Sequence, residues 1–279
     1  MRNNIIVLNP VGGLANRMRA IASTYLQAQN LNLNLIVYWF RDKELNARFC
    51  DLFEYPTEKG IIIKEGNFID FLKFSGKRKK TMFFSKFYEK YYFDYSFTES
   101  SQKKYLKRLE EFSWGGKRVY IQSCGFIGNH SKLNLHNCLK TLFRLKDDVN
   151  DTLLKKSKDF GNNCVGFHIR RTDNTFSISN SPSSLFMEKA NHELVRNPQV
   201  SLFLASDSLN EKQMFKKVYP CVITELKETS RDNVEGIKDG LIDMYLLSKC
   251  DRVYGSFYSS FSELASIIGN NELIVLKNE

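Results

Sequence analysis

Short apolar runs rich in β-branched residues return along this chain, each ending on a polar turn that leads into apolar residues at helical spacing. The plainest is 164–169, Cys-Val-Gly-Phe-His-Ile, which stops at once on Arg170 and Arg171. Six residues with one polar side chain read as a strand buried on both faces. Strands of that kind belong to parallel sheets, and parallel strands need a crossover, usually a helix, to join them. The alternation therefore predicts an α/β fold. Strands are expected at 5–8, 33–40, 61–64 and 119–123, and again at 164–169, 200–205, 221–224, 252–254 and 273–276. Leu14, Met18, Ile21, Ala22 and Tyr25 fall at helical spacing after the first strand. Further helices are expected at 48–56, 142–158, 184–196, 212–219, 233–248 and 263–268, with a loop over 176–184. Gly161-Asn-Asn163 separates two domains, 1–160 and 161–279.

The chain has 279 residues, of which 42% are hydrophobic, enough to bury a core in each of two modest domains. Its first residues carry too short an apolar run for a signal peptide, and no segment approaches the roughly 20 apolar residues that span a bilayer. The expected location is cytoplasmic. The cysteines, at 50, 124, 138, 164, 221 and 250, show no CxxC spacing and read as reduced core thiols. The formal charge of +10 is unevenly spread: 73–108 holds eleven Lys or Arg against three acids, or +8. This stretch lies in an insertion, 68–110, dense in aromatics such as Phe83-Phe84, Phe87-Tyr88 and Tyr91-Tyr92-Phe93. Three readings of it stay open: a helical excursion packing its rings on the domain, a peripheral contact with an anionic membrane at the inner face of the cell membrane, or a flap over an acceptor.

In open α/β sheets ligands bind beyond the carboxyl ends of the strands, and three strand ends here turn polar together. One is Arg170-Arg171-Thr172-Asp173 with His168 before it, one is Ser206-Asp207, and one runs from Ser256 through Ser259 and Ser260 to Phe261. Guanidinium forks match phosphate and cannot be titrated away, serine hydroxyls and helix amides complete such a cradle, and Asp207 can accept from a ribose or base. A second anion site is expected where the first strand meets Gly12 and Gly13, with Asn16 and Arg17 in the following helical turn facing the crevice. It lacks both G-x-G-x-x-G and the Walker Gly-Lys-Ser/Thr pattern. Asp243, inside an otherwise apolar helix, needs a partner, and the arginine turn is the expected one. Asp147-Asp148 follows no strand and reads as a solvated helix start rather than a metal pair.

His168-Ile-Arg-Arg-Thr-Asp173 resembles the H-x-R-R-x-D signature of fucosyltransferases related to the core α1,6- and nodulation enzymes. Gly12-Gly-Leu-Ala-Asn-Arg17 resembles the opening of the wider superfamily, which includes bacterial α1,2- and protein O-fucosyltransferases. Gly240-Leu-Ile-Asp243 through Ser248, with Gly255-Ser-Phe-Tyr-Ser-Ser-Phe261, resembles its third motif. The resemblance implies a GT-B fold, two Rossmann-like domains facing across a cleft, with GDP-fucose held mainly by the second. It implies an inverting, metal-independent transfer with no cofactor, acting on a glycan or lipid-linked oligosaccharide in surface polysaccharide synthesis. Arg170, Arg171 and Asp173 would be the catalytic group. Gly12, Gly13, Asn16, Arg17, His168, Asp207, Asp243, Ser256, Ser259, Ser260 and Phe261 would bind the donor. There is one departure: where the α1,6 relatives carry a carboxylate soon after the arginines, this chain has Phe176-Ser-Ile-Ser179 and no acid until Glu188. The rival readings are a transferase for another nucleotide sugar, a sugar-nucleotide-binding protein without turnover, and a nucleic-acid binder using 73–108. The last leaves the three polar strand ends unexplained, so nucleic acid is not an expected partner.

Overall fold

The computed structural model describes residues 4–74, 82–98, 117–161, 163–172, 175–228 and 230–278. The chain divides into two compact units, Met1–Arg144 and Leu145–Glu279. The first contains β1 (Ile5–Pro10), α1 (Leu14–Asn30), β2 (Asn34–Trp39), β3 (Ile61–Glu65), α2 (Phe68–Phe74), α3 (Met82–Tyr92), β4 (Tyr95–Phe97), β5 (Arg118–Ser123) and α4 (Lys132–Leu142). Its sheet runs β3-β2-β1-β5-β4 with every pairing parallel. Val7 and Leu8, on opposite faces of β1, are both buried, as a sheet covered on both sides requires. Met18, Ile21, Ala22 and Tyr25 form the buried stripe of α1, as their spacing predicts.

The second unit contains α5 (Asp147–Ser157), β6 (Cys164–Ile169), α6 (Thr175–Asn180), α7 (Ser183–Arg196), β7 (Ser201–Ser206), α8 (Leu209–Val218), α9 (Val234–Ser248), β8 (Arg252–Ser256), α10 (Ser260–Gly269) and β9 (Glu272–Leu276). Its sheet runs β7-β6-β8-β9, again all parallel. Phe167, Phe186 and Phe215 are fully buried on one face. Each stabilises the unit by ~1.5–3 kcal/mol relative to exposure. On the other face, a Cβ at Gly166 would sit 2.8 Å from Leu247 Cδ2, so α9 packs directly on the strand backbone.

Several boundaries differ from the expectation. Residues 132–142 form a helix of their own, capped at Ser131, whose Leu135, Cys138, Leu139 and Leu142 are buried, with Cys138 Sγ on the carbonyl of Ala22 in α1. The chain then breaks before α5, which packs on α9, so the compact units part at Arg144 and not at 160. Asp147 and Asp148 do begin α5, with Asp148 on Lys238 at 2.5 Å. The stretch 48–56 holds only a single 3-10 turn, Phe49–Asp51, and 221–224 only an isolated bridge between Phe203 and Ile223. Part of the expected loop over 176–184 is the short helix α6. In the aromatic insertion Phe74, Phe93 and Phe97 are buried in the first unit, while Phe87 and Tyr91 stay exposed. The rest of its basic run, 75–81 and 99–116, lies outside the described residues. No helix among the described residues is long and apolar enough to cross a membrane.

In each sheet the first strand is flanked by neighbours on opposite sides, β1 by β2 and β5, and β6 by β7 and β8. That reversal makes a crevice at the carboxyl end of the first strand, where ligands of open α/β sheets bind. The diglycine turn follows β1, and the arginine turn follows β6.

Candidate functional site

The arginine turn is built by three side chains from the flanking strands. Ser256 Oγ donates to the carbonyl of His168 at 3.2 Å and accepts from the N–H of Arg170 at 3.1 Å, which extends the β6–β8 pairing by one residue. On the other side Ser206 Oγ donates to the carbonyl of Ile169 at 2.7 Å. Asp207 then collects the turn itself, accepting from the N–H of Arg171 at 2.7 Å and from Thr172 Oγ1 at 2.7 Å. Ser256 and Asp207, expected as donor ligands, are thus engaged in shaping the turn. Their hydroxyl proton and most accessible lone pairs are already used.

The two arginines have different environments. The Arg171 guanidinium folds back into the unit, with Nε on Glu211 Oε1 at 2.7 Å, Nη2 on Ser183 Oγ at 3.0 Å and Nη1 on the carbonyl of Arg170 at 2.9 Å. Ser183 in turn donates to the same Glu211 oxygen at 2.5 Å. Of the five guanidinium N–H groups, three are taken, leaving one on each terminal nitrogen. The pair is nearly enclosed, at 12% and 11% side-chain exposure. Glu211 escaped the sequence reading, although Ser208-x-x-Glu211 carries the signature of a helix start: Ser208 Oγ caps α8 by accepting from the Glu211 N–H. Arg170 keeps a half-buried side chain at the switch point. Asp173 lies outside the described residues.

His168 is buried beneath the turn. Its ring stacks on Phe261 with centroids 4.6 Å apart, and Nδ1 lies 3.4 Å from Ser259 Oγ. Burial, reinforced by the charges of Arg170, Arg231 and Arg171 and opposed by Asp207, pushes its pKa down to about 4. The imidazole is therefore neutral at pH 7 and holds Ser259 instead of carrying charge. Ser259 is the N-cap residue of α10, and its side chain makes no cap hydrogen bond. The N–H groups of Ser260, Phe261 and Ser262 have no partner among the described residues, and the first internal bond is Glu263 N–H to the Ser259 carbonyl. Such a helix end carries about half a positive charge and is a ready anion site. It sits against β8 because Gly255 has no side chain; a Cβ there would lie 2.7 Å from that of Ser262.

Asp243 is half-buried in α9, and its surroundings differ from the expected arginine partner. Burial raises its pKa to about 6, with Lys212 and Lys156 opposing and Glu225 and Asp239 adding to the rise. Lys212 is itself buried and donates to the carbonyl of Lys227 at 3.0 Å. Asp243 accepts no hydrogen bond from the described residues, so its carboxylate is available to a ligand with N–H donors.

In the first unit the expected anion site is largely filled by the protein. Gly12, at φ +86°, donates its N–H to Glu44 Oε2 at 2.8 Å. Arg17 is fully buried rather than facing a crevice. Its Nε donates to the Gly12 carbonyl at 2.8 Å, Nη1 to the Phe40 carbonyl, and Nη2 pairs with Asp42 at 2.8 Å, with the guanidinium over the Trp39 ring. A side chain that polar is buried only when paired, and here the pairing locks the diglycine turn to the loop after β2. Gly13 has open space at its Cβ position, and Asn16 is half-buried with no hydrogen bond to the described residues. These two remain the available groups of that turn.

Two Rossmann-like units, the second with a basic turn beside an open helix end, define the GT-B class of fold. The structure is similar to that of the NodZ α1,6-fucosyltransferase of Bradyrhizobium soaked with GDP-fucose, at 15% identity and TM-score 0.65, covering 95% of this chain and 92% of that one. It is similar to Arabidopsis thaliana FUT1 in complex with GDP, at 15% identity and TM-score 0.68, over 98% of this chain and 70% of that one. It is also similar to POFUT1 in complex with GDP-fucose, at 14% identity and TM-score 0.56, over 99% of both chains. No family model matches the chain, and no curated protein matches it. The likeness shows that the chain shares the fold of these proteins.

Proposed function

We propose that this chain is a glycosyltransferase that moves fucose from GDP-fucose to a glycan. The observation that carries the reading is the juxtaposition, at the switch point of the second sheet, of the clamped Arg170-Arg171 turn with the unsatisfied amino end of α10. The structures it is similar to were obtained with GDP or GDP-fucose. When an acceptor hydroxyl attacks the anomeric carbon, the bond from that carbon to the β-phosphate oxygen breaks, its electron pair leaves on GDP, and the hydroxyl proton passes to water or to the departing diphosphate. Arg170, the two remaining Arg171 N–H groups and the amides of Ser260 to Ser262 stabilise that charge. Fixed donors aimed at developing charge are the largest common source of rate enhancement. Glu211 and Asp207 act as positioning residues through Arg171, Glu211 holding its guanidinium and Asp207 its backbone N–H. Asp243 accepts from the N–H edge of guanine, which pairs best with an ionised carboxylate. Asp173 belongs to the same reading through the H-x-R-R-x-D resemblance, as does inversion at the anomeric carbon.

The acceptor is a glycan or a lipid-linked oligosaccharide in surface polysaccharide synthesis. The exposed Phe68, Ile69, Phe87 and Tyr91 support a peripheral contact of the basic segment with an anionic membrane. The direct test is thermal: GDP raises the melting temperature in the presence of EDTA, and Arg170→Ala removes the rise. A screen of GDP-fucose, GDP-mannose, UDP-sugars and dTDP-sugars for hydrolysis identifies the donor. No shift with GDP, or a stronger one with UDP, ends the GDP-fucose reading.

A further inference from the structure

Beside the open end of α10 the second unit leaves three aromatic rings together at its surface. Phe176 on α6 is 55% exposed and Tyr258, just before α10, is 73% exposed. Ring centroids lie 5.6 Å apart for Phe176 and Phe257, 5.8 Å for Phe176 and Tyr258, and 6.3 Å for Phe257 and Tyr258. Lys277 Nζ stands 5.6 Å over the Phe257 ring. The backbone beneath is pinned: Ser181 Oγ accepts the Phe257 N–H at 2.8 Å and donates to the Leu276 carbonyl, and the Asn278 N–H reaches the Asn180 carbonyl at 2.7 Å. Tyr258 holds φ +57°, a left-handed conformation unfavourable for a bulky residue. Its surroundings keep that strain in place, and strain of this kind collects at ligand sites. A rigid group of exposed rings contributes contact area at low entropic cost to a ligand.

We infer that Phe176, Phe257 and Tyr258 form a stacking platform for a pyranose ring of the acceptor glycan. A pyranose has an apolar C–H face and a polar rim, which suits rings open to water on one side. The platform ends one residue before Ser259. If the α10 amides hold the donor's diphosphate, as the proposed function requires, the nucleobase lies a ribose and two phosphates away, while the transferred sugar and its acceptor lie close. The inference rests on that reading of the donor site, and the test separates the two.

The experiment uses Phe176→Ala, Tyr258→Phe and Tyr258→Gly, the last keeping a residue at ease with positive φ. Methyl β-glucoside, methyl β-galactoside and methyl β-N-acetylglucosaminide serve as acceptor probes in saturation-transfer NMR with GDP bound, and as acceptors for GDP-fucose. At least one probe should receive saturation on its ring C–H protons from the wild type. That signal should fall in Phe176→Ala and Tyr258→Gly and survive in Tyr258→Phe, with the acceptor KM raised by about tenfold, the worth of one stacked ring. The GDP-induced melting shift and hydrolysis of GDP-fucose to GDP should stay unchanged. An intact GDP shift with no probe sugar contacted overturns the platform and leaves the donor site standing. A GDP shift lost in the ring variants makes the rings part of the donor site. Absence of a GDP shift in the wild type overturns both readings.

Discussion

Arg17 in the first unit and Arg171 in the second stand at comparable places, each beside the turn that follows the first strand of its sheet. Each is tied to a carboxylate that follows the neighbouring strand, Asp42 in the loop after β2 and Glu211 in the first turn of α8 after β7. Around Arg17 the account is closed: the guanidinium is fully buried, and the neighbouring Gly12 N–H already holds the Glu44 carboxylate. Around Arg171, two guanidinium N–H groups and the amino end of α10 keep no partner among the described residues. The same grammar of arginine, carboxylate and turn thus makes a structural lock in one unit and, in the proposed reading, an anion site in the other. The surplus of donors over acceptors decides which.

The largest effect expected from breaking this comparison is on stability. Arg17→Met leaves the Gly12 and Phe40 carbonyls without this donor and takes the cation from Asp42, which keeps the Glu44 and Leu45 N–H groups, and should cost ~3–5 kcal/mol in a denaturant titration. Arg170→Ala, at a half-buried position, should leave the denaturant midpoint nearly unmoved. Equal midpoints for the two variants would erase the distinction drawn between the turns. Next in size is turnover: Arg170→Ala should lower kcat for transfer by about a hundredfold to a thousandfold, the loss typical of one fixed donor on developing charge. Glu211→Gln, which keeps the shape of the Arg171 clamp but not its charge, should fall between this variant and wild type.

Acid titration sharpens the comparison further, because the His168 pKa is depressed by burial. The unfolded chain binds that proton more readily, so stability is present above the ordinary histidine value and is lost as pH falls from 6.5 through about 4. The loss is up to ~3 kcal/mol. His168→Gln should flatten that part of the profile, and a wild type of constant stability over this window would contradict the neutral, buried imidazole. The smallest effect belongs to Asp243, whose raised pKa has the opposite sign. Its ionisation penalises the fold, so stability declines as pH rises from about 4 through about 6. Asp243→Asn should recover ~1–2 kcal/mol at pH 7 once solvent screening at a half-buried site is allowed for. The same variant should weaken GDP binding, and unchanged GDP affinity would remove Asp243 from the base site.

Much of the fold was readable along the chain because strands buried on both faces are nearly pure apolar runs, and their ends are marked by Gly, Ser, Asp and Arg. The α1 stripe and the three polar strand ends belong to this readable part. Helix α4 was legible and went unread: Leu135, Cys138, Leu139 and Leu142 fall at i, i+3, i+4 and i+7 behind the Ser131 cap, with Asn134, Asn137 and Lys140 on the exposed side. Strand β4 is three residues long and exists because it can pair with β5. At the site, the sequence put His168, Arg170 and Ser259 at polar strand ends, and the structure sets the His168 ring against Ser259, whereas Ser256 and Asp207 build the turn from neighbouring strands.

Local sequence alone determined the longer strands, the α1 stripe and the polar turns after β1, β6, β7 and β8, and with them the arginines at the turns after β1 and β6. It could not determine which arginines are spoken for. Arg17 meets Asp42 across 25 positions and Arg171 meets Glu211 across 40. Ion pairing at such separations depends on how the sheets order their strands and which side chains they enclose. A guanidinium's charge is written in the chain, but its neutralisation depends on distance and burial, which only the folded structure supplies.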